Sequence, residues 1–165
     1  MTPRRLLLTG AEGFTGAFLT ERLSRNGWAV HGLVHDGADL AQLSGLASST
    51  AADLRDAAAV AAAVADVRPQ AVIHLAGISS PVHGRVDEIY AVNLTGTRNL
   101  LGALDQLDAA PRVILASSAN VYDAGLAGQI AEDSPLGPVN DYGVSKLAME
   151  TLRGVFAARL PITVV

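Results

Sequence analysis

The chain has 165 residues, half of them hydrophobic, with a formal net charge of −4 and no cysteine. That is one domain's worth of chain with enough apolar material for a proper core. It excludes disulfides and thiolate metal sites, and an acidic balance with no basic cluster beyond Arg4-Arg5 argues against a nucleic-acid partner. The longest apolar run, Ala57 to Ala65, falls far short of the roughly 20 residues a membrane span needs. The apolar core after Arg5 is too short for a signal peptide, so a reducing cytoplasm is the expected compartment.

An apolar strand from Leu6 breaks into glycines at Gly10, Gly13 and Gly16, and an amphipathic segment follows at once. Strand, tight turn and helix are the reading. The helix opens near Phe14 and aims its unpaired N–H groups and positive dipole end at the turn, where a diphosphate can sit. An ordinary βα turn is the alternative, because the glycine spacing departs by one inserted residue from the usual dinucleotide fingerprint. Gly27 ends the helix, and Trp28 to Val34 forms a second strand. At the end of such a strand an acid favours NAD through the ribose 2′-hydroxyl, and an arginine favours the NADP phosphate. Val34 occupies the acid's expected place and Asp36 comes two residues later, where a turn role is more usual. The choice between NAD and NADP stays open.

Leu40 to Leu46 reads as one or two helical turns, and Ser49 to Leu54 as a third strand. Asp56 is positioned to cap an alanine- and valine-rich helix reaching Val67. Asp53 either caps as well or reaches an adenine amino group. Ala71 to Leu75 is a fourth strand, in which His74 reads as a core residue, and Ala76-Gly77 ends it with small side chains. The loop from Ile78 to Gly84 carries Ser79, Ser80, Pro81 and His83, where a substrate or cofactor can be met; His83 has no second metal ligand at helical spacing. No metal site is expected.

A long helix is expected from Val86 to Leu107, with Asn93 and Gly96 in its middle against their helix propensity. Either they pack the helix close to the sheet, or Asn93 holds a water near a site. Arg112 to Ala116 forms a fifth strand and delivers Ser117 and Ser118 at its C-terminal edge, where open α/β sheets bind ligands. A helix then runs from Asp141 to about Arg159 and places Tyr142 and Lys146 four residues apart on one face. A phenol with an ordinary pKa of about 10 is a poor base at neutral pH, and a fixed positive charge nearby lowers that value. The pair is a usable general acid/base. Ile162 to Val165 is a sixth strand.

With these residues in hand, the chain resembles the extended short-chain dehydrogenase/reductases, specifically the NAD-dependent epimerase/dehydratase group that acts on nucleotide sugars. Thr-Gly-Ala-Glu-Gly-Phe-Thr-Gly at 9–16 matches that family's T-G-x-x-G-F-x-G and accounts for the inserted residue. Asp53-Leu54 matches its adenine-contacting acid, His74-Leu75-Ala76-Gly77 its fourth-strand segment, and Asn93 its helix asparagine. Ser118, Tyr142 and Lys146 match its catalytic Ser/Thr and its Y-x-x-x-K. The resemblance implies a doubly wound parallel α/β sheet in the order 3-2-1-4-5-6, with NAD or NADP held by Gly10, Gly13, Phe14, Gly16, Asp53, Leu54, Leu75, Ala76, Gly77, Asn93, Tyr142 and Lys146. It implies that Lys146 also holds the nicotinamide ribose and that Ser118 bonds the reacting sugar oxygen.

Ala119-Asn120 stands where the family's 4,6-dehydratases carry Asp-Glu, which argues against a dehydratase. The tracts Val30–Val34 and Glu132–Lys146 resemble GDP-4-keto-6-deoxymannose reductases most, with 4-epimerases next. A homodimer through the helices at 86–107 and 141–159 is implied. So is a sugar-gripping domain beyond the sixth strand, so that residues 1–165 read as the dinucleotide-binding part of a longer protein. A dinucleotide-sensing module without chemistry is the alternative; retention of both Tyr142 and Lys146 favours the enzyme.

Overall fold

The computed structural model describes residues 3–41, 43–79 and 85–165. Its frame is six strands: β1 (Arg4–Thr9), β2 (Trp28–Val34), β3 (Leu46–Ala51), β4 (Ala71–His74), β5 (Arg112–Leu115) and β6 (Ile162–Val164). They pair in parallel in the order β3-β2-β1-β4-β5-β6, as expected. The helices α1 (Phe14–Arg25), α2 (Ala57–Val67), a long helix of three joined parts (Val86–Tyr90, Ala91–Gly96 and Thr97–Asp105, called α3) and α4 (Asp141–Phe156) carry the crossovers.

Alternation along β1 builds two cores. Leu7 points into the larger one, with Val72, Val113 and Leu115 of the neighbouring strands and Val60, Val64, Leu100, Leu104 and Met149 of α2, α3 and α4. Leu6 and Leu8 point the other way, into a smaller core with Val30 and Val34, covered by Leu19 and Leu23 of α1. The cover on that second face does not extend over β5, whose Ile114 is exposed.

The Leu40–Leu46 stretch departs from expectation. Among the described residues of that stretch no helix forms: Leu43 N–H closes one turn on the Leu40 carbonyl, and Leu40 and Leu43 pack against the smaller core as irregular chain. Leu46 opens β3, which ends at Ala51, so the strand lies about three residues earlier than its apolar content suggests. All its residues after Leu46 are exposed. It is an edge strand held by its ladder to β2, and burial therefore left little pattern to read. Asp56 does cap α2, accepting from the Ala58 and Ala59 amides (3.0 and 3.1 Å).

His74 is a core residue, held by a chain of hydrogen bonds that has a single consistent direction. Thr97 donates to the Asn93 carbonyl (2.6 Å) and so accepts from His74 Nε2–H (2.9 Å). His74 Nδ1 then accepts from the Thr9 hydroxyl (2.6 Å), which itself accepts the Ala76 amide (3.1 Å). Every group is satisfied when the ring is neutral. Burial, followed by the Lys146 charge, lowers the His74 pKa to about 3.

Because the folded pKa lies below the unfolded value of 6.5, this group's contribution to stability is complete above pH 6.5. It is lost as the pH falls toward 3, where only the unfolded chain takes up the proton. Urea denaturation should show stability falling by about 1.4 kcal/mol per pH unit between roughly pH 6 and 4 beyond the fall seen in His74→Gln; parallel pH profiles for the two proteins would refute the neutral, buried ring.

Candidate functional site

A cleft of about 840 Å³ opens along the C-terminal ends of the strands, within the range of cofactor sites. One wall is the β1–α1 turn. Gly10 has φ +69°, and a Cβ there would meet the Ala76 backbone nitrogen at 2.8 Å, so β1 and β4 approach this closely only with glycine at that position. The N-cap position of α1 is Gly13, and no side chain caps it, whereas Asp56 and Asn140 cap α2 and α4. The first-turn amides of α1 are therefore left for an anion. Gly10, Gly13, Phe14 and Gly16 all line the cleft. A glycine cradle at an uncapped helix start fits a dinucleotide diphosphate.

Asp53 and Leu54 lie in the loop after β3 and line the same cleft. The Asp53 carboxylate does not cap α2. It is held by Arg55, through Nε (2.9 Å) and Nη2 (2.6 Å), and these bonds keep its pKa below the usual carboxylate range. Arg55 went unnoticed in the sequence because a residue two positions on in a loop has no periodic signal.

Leu75, Ala76 and Gly77 form the floor at the end of β4. Asn93 lies behind them rather than on the cleft wall. It is buried, and its carboxamide grips the Ile78 backbone in both directions: Oδ1 accepts Ile78 N–H (2.7 Å) and Nδ2 donates to the Ile78 carbonyl (3.0 Å). Nδ2 also donates to the Ser145 hydroxyl (3.0 Å). The helix widens into a π-turn over Ala91–Gly96, a local form often found at functional sites. Gly96 does allow a close approach, but to the loop after β3 rather than to the sheet, since a Cβ there would strike Leu54 Cβ at 2.7 Å. Asn93 thus anchors the strand-end loop. Of that loop's residues named in the sequence, Ser80, Pro81 and His83 lie outside the described residues.

Tyr142 and Lys146 both line the cleft from α4 and both are buried. Lys146 Nζ donates to the Ala116 carbonyl (2.9 Å). Burial lowers its pKa to about 8 while the Glu150 charge opposes the fall, so the ammonium form still predominates at neutral pH. Glu150 also accepts a hydrogen bond from Ser117, and Ser117 lines the cleft. Ser118 is adjacent, half-buried, and its Oγ accepts from the Asn120 amide (3.2 Å) at the start of a short 3₁₀ turn, Ala119–Val121. Gly143 lets α4 sit on that turn: an added Cβ would run into the Asn120 carbonyl and meet Pro138 Cβ at 3.0 Å. The structure therefore brings Tyr142, Lys146, Ser117 and the glycine turn to one cleft, with Ser118 beside it and Asn93 behind it. Among the described residues, no cluster of His, Asp or Glu is arranged to hold a metal, and no helix is long and apolar enough to cross a membrane.

The family model for the NAD dependent epimerase/dehydratase family matches residues 6–160. The chain belongs to that family. A UDP-glucose 4-epimerase of Bacillus subtilis is 31% identical over 157 residues, covering 89% of this chain and 46% of its own length. A crystallised protein of Burkholderia cenocepacia superposes with a TM-score of 0.85 at 47% identity, over 98% of this chain and 52% of its own. The UDP-glucose 4-epimerase of Thermus thermophilus, solved with NAD, superposes at 0.84 with 29% identity, over 97% and 53%. The chain spans about half the length of the relatives it matches.

Replacing Asn93 by Ala strands the half-buried Ile78 amide and carbonyl. The expected loss is about 1–3 kcal/mol in chemical denaturation, with faster hydrogen exchange at the Ile78 amide specifically. Unchanged exchange there would show that Asn93 does not anchor the loop.

Proposed function

We propose that residues 1–165 form the dinucleotide-binding domain of an enzyme that transfers hydride at a nucleotide-sugar carbon using NAD or NADP. The observation that carries this reading is that Tyr142 and Lys146 line the same cleft as the Gly10–Gly16 turn. Family membership supports the NAD dependence. When bound, the nicotinamide supplies the hydride acceptor or donor. Tyr142 gives or takes the hydroxyl proton at the sugar carbon. Lys146, still mainly charged at neutral pH, stands one helical turn from Tyr142 and bonds the nicotinamide ribose, and Ser118 bonds the sugar oxygen after release from the Asn120 amide. Gly10, Gly13, Phe14 and Gly16 hold the diphosphate. Asp53 and Leu54 meet the adenine, while Leu75, Ala76 and Gly77, braced by Asn93, form the floor.

Reduction of a 4-keto sugar is preferred over 4-epimerisation on the tracts at 30–34 and 132–146, and dehydration is disfavoured by Ala119-Asn120. The curated relatives named as UDP-glucose 4-epimerases support the common chemistry at that carbon. The grip on the nucleotide sugar lies, in this reading, outside the 165 residues, and the protein works in the cytoplasm. A non-catalytic dinucleotide-binding module is the second reading, favoured by one relative named as a beta subunit of methionine adenosyltransferase in Xenopus tropicalis, 30% identical.

Hydride transfer to GDP-4-keto-6-deoxymannose and from a UDP-sugar should be compared in the full-length gene product. Tyr142→Phe is expected to lower turnover by about 10²- to 10⁴-fold while leaving cofactor affinity nearly intact. Retained turnover would remove Tyr142 from its role, and failure of the folded protein to bind either reduced cofactor would overturn the reading as a whole.

A homodimer through 86–107 and 141–159 remains part of the proposal, with a smaller surface than the sequence promised. Leu100, Leu101, Leu104, Met149 and Leu152 belong to the core of one chain, which leaves Leu147, half-buried, and the exposed Val144 and Val155. Light scattering at micromolar concentration should give a dimer mass, and a monomer mass would overturn it.

A further inference from the structure

Glu12 sits in the glycine turn, and the functional reading above gives it no role. Its Oε1 accepts the backbone N–H of His35 at 3.3 Å, which ties the turn to the first residue after β2. Its Oε2 is buried and has no hydrogen-bond partner among the described residues. The side chain as a whole is 18% exposed and lines the cleft beside Val34, His35 and Asp36. This is the place where a strand-end acid meets the adenosine ribose, and here the strand ends in Val34, a buried aliphatic residue. A carboxylate oxygen shut away without a donor is a costly arrangement that a ligand donor relieves. The terminal carboxylate torsion is soft, so a small rotation turns one oxygen to the cleft while the other keeps the His35 amide.

We infer that Glu12 accepts hydrogen bonds from the adenosine ribose hydroxyls and thereby makes the cleft select NAD over NADP. The inference rests on the dinucleotide-binding reading above and adds the choice between the two cofactors. A vicinal diol brings two O–H donors to an acceptor that lacks one. A 2′-phosphate brings negative charge and acceptors to the same carboxylate. Two cationic side chains among the described residues lining the cleft are Arg55, held by both Asp53 oxygens, and Lys146, held by Ala116; each is already engaged away from a phosphate beside Glu12. His35 Nε2 lies 4.0 Å from Glu12 Oε1, so the imidazole competes for the ribose. Asp36, exposed beyond it, is the rival acid.

The test is fluorescence titration of the 165-residue protein with NADH and with NADPH, for wild type, Glu12→Gln, Glu12→Ala and Asp36→Asn, each checked for folding by circular dichroism. Wild type is expected to bind NADH at least about tenfold more tightly than NADPH, the scale of one charged hydrogen bond lost. Glu12→Gln should shrink the ratio by weakening NADH and tightening NADPH. Glu12→Ala should abolish the ratio, and Asp36→Asn should leave it unchanged. Equal binding of the two cofactors by wild type would overturn the inference while leaving the dinucleotide site standing. So would a ratio that survives both Glu12 variants or disappears in Asp36→Asn. Binding of neither cofactor by folded wild type would instead overturn the functional reading, and this inference with it.

Discussion

The structure depends on the hydrogen-bonded chain that runs from Ala76 through Thr9, His74 and Thr97 to the Asn93 carbonyl. A parallel sheet covered by helices buries its strand ends, and any polar side chain there must be paired within the protein. Here side-chain and backbone groups from β1, β4 and α3 meet those needs together. Because Thr9 immediately precedes Gly10 and Ala76 immediately precedes Gly77, the same bonds that satisfy His74 also set how closely the glycine turn approaches the strand-end floor. Packing and site geometry are one constraint at this point, and the neutral imidazole is its hinge.

The other end of the cleft stores an opposing cost. Lys146 is held in a buried position that lowers its pKa from 10.5 to about 8, equivalent to about 3 kcal/mol of disfavoured charge at neutral pH. A buried ammonium with one carbonyl partner and a carboxylate one turn along the helix is poor stabilisation by itself. Such groups concentrate at functional sites, and Lys146 lines the cleft together with Tyr142, one turn earlier on the same helix. The large core beneath α4, with Met149 and Leu152, offsets the cost.

Between these ends lies a surface built for an extended, anionic, partly aromatic ligand: an uncapped helix start, small floor residues, and an acid-arginine pair in the β3–α2 loop. On the second face of the sheet, β5 leaves Ile114 exposed.

How much of this was legible without the fold follows from which forces leave a pattern in a sequence. β1, β2, β4 and β5 were readable because buried parallel strands are apolar runs alternating with helical segments, while the order of the sheet came from the resemblance to the family rather than from any periodicity. The Tyr142–Lys146 pair was readable because helical spacing converts sequence distance into a shared face. β3 was misplaced because an exposed edge strand is held by backbone ladder bonds, to which Ala47, Ser48 and Ser49 contribute no periodic signal. The leucines of α3 and α4 exceeded one stripe on paper, and the fold showed that neighbouring helices absorb them into one core. The partners of Asn93, His74, Asp53 and Glu12 were decided by the tertiary structure alone. Their hydrogen bonds depend on ångström-scale approach between strands and loops distant in sequence, and in Asp53 on the path of a single loop; residue order carries no record of such distances until the chain is packed.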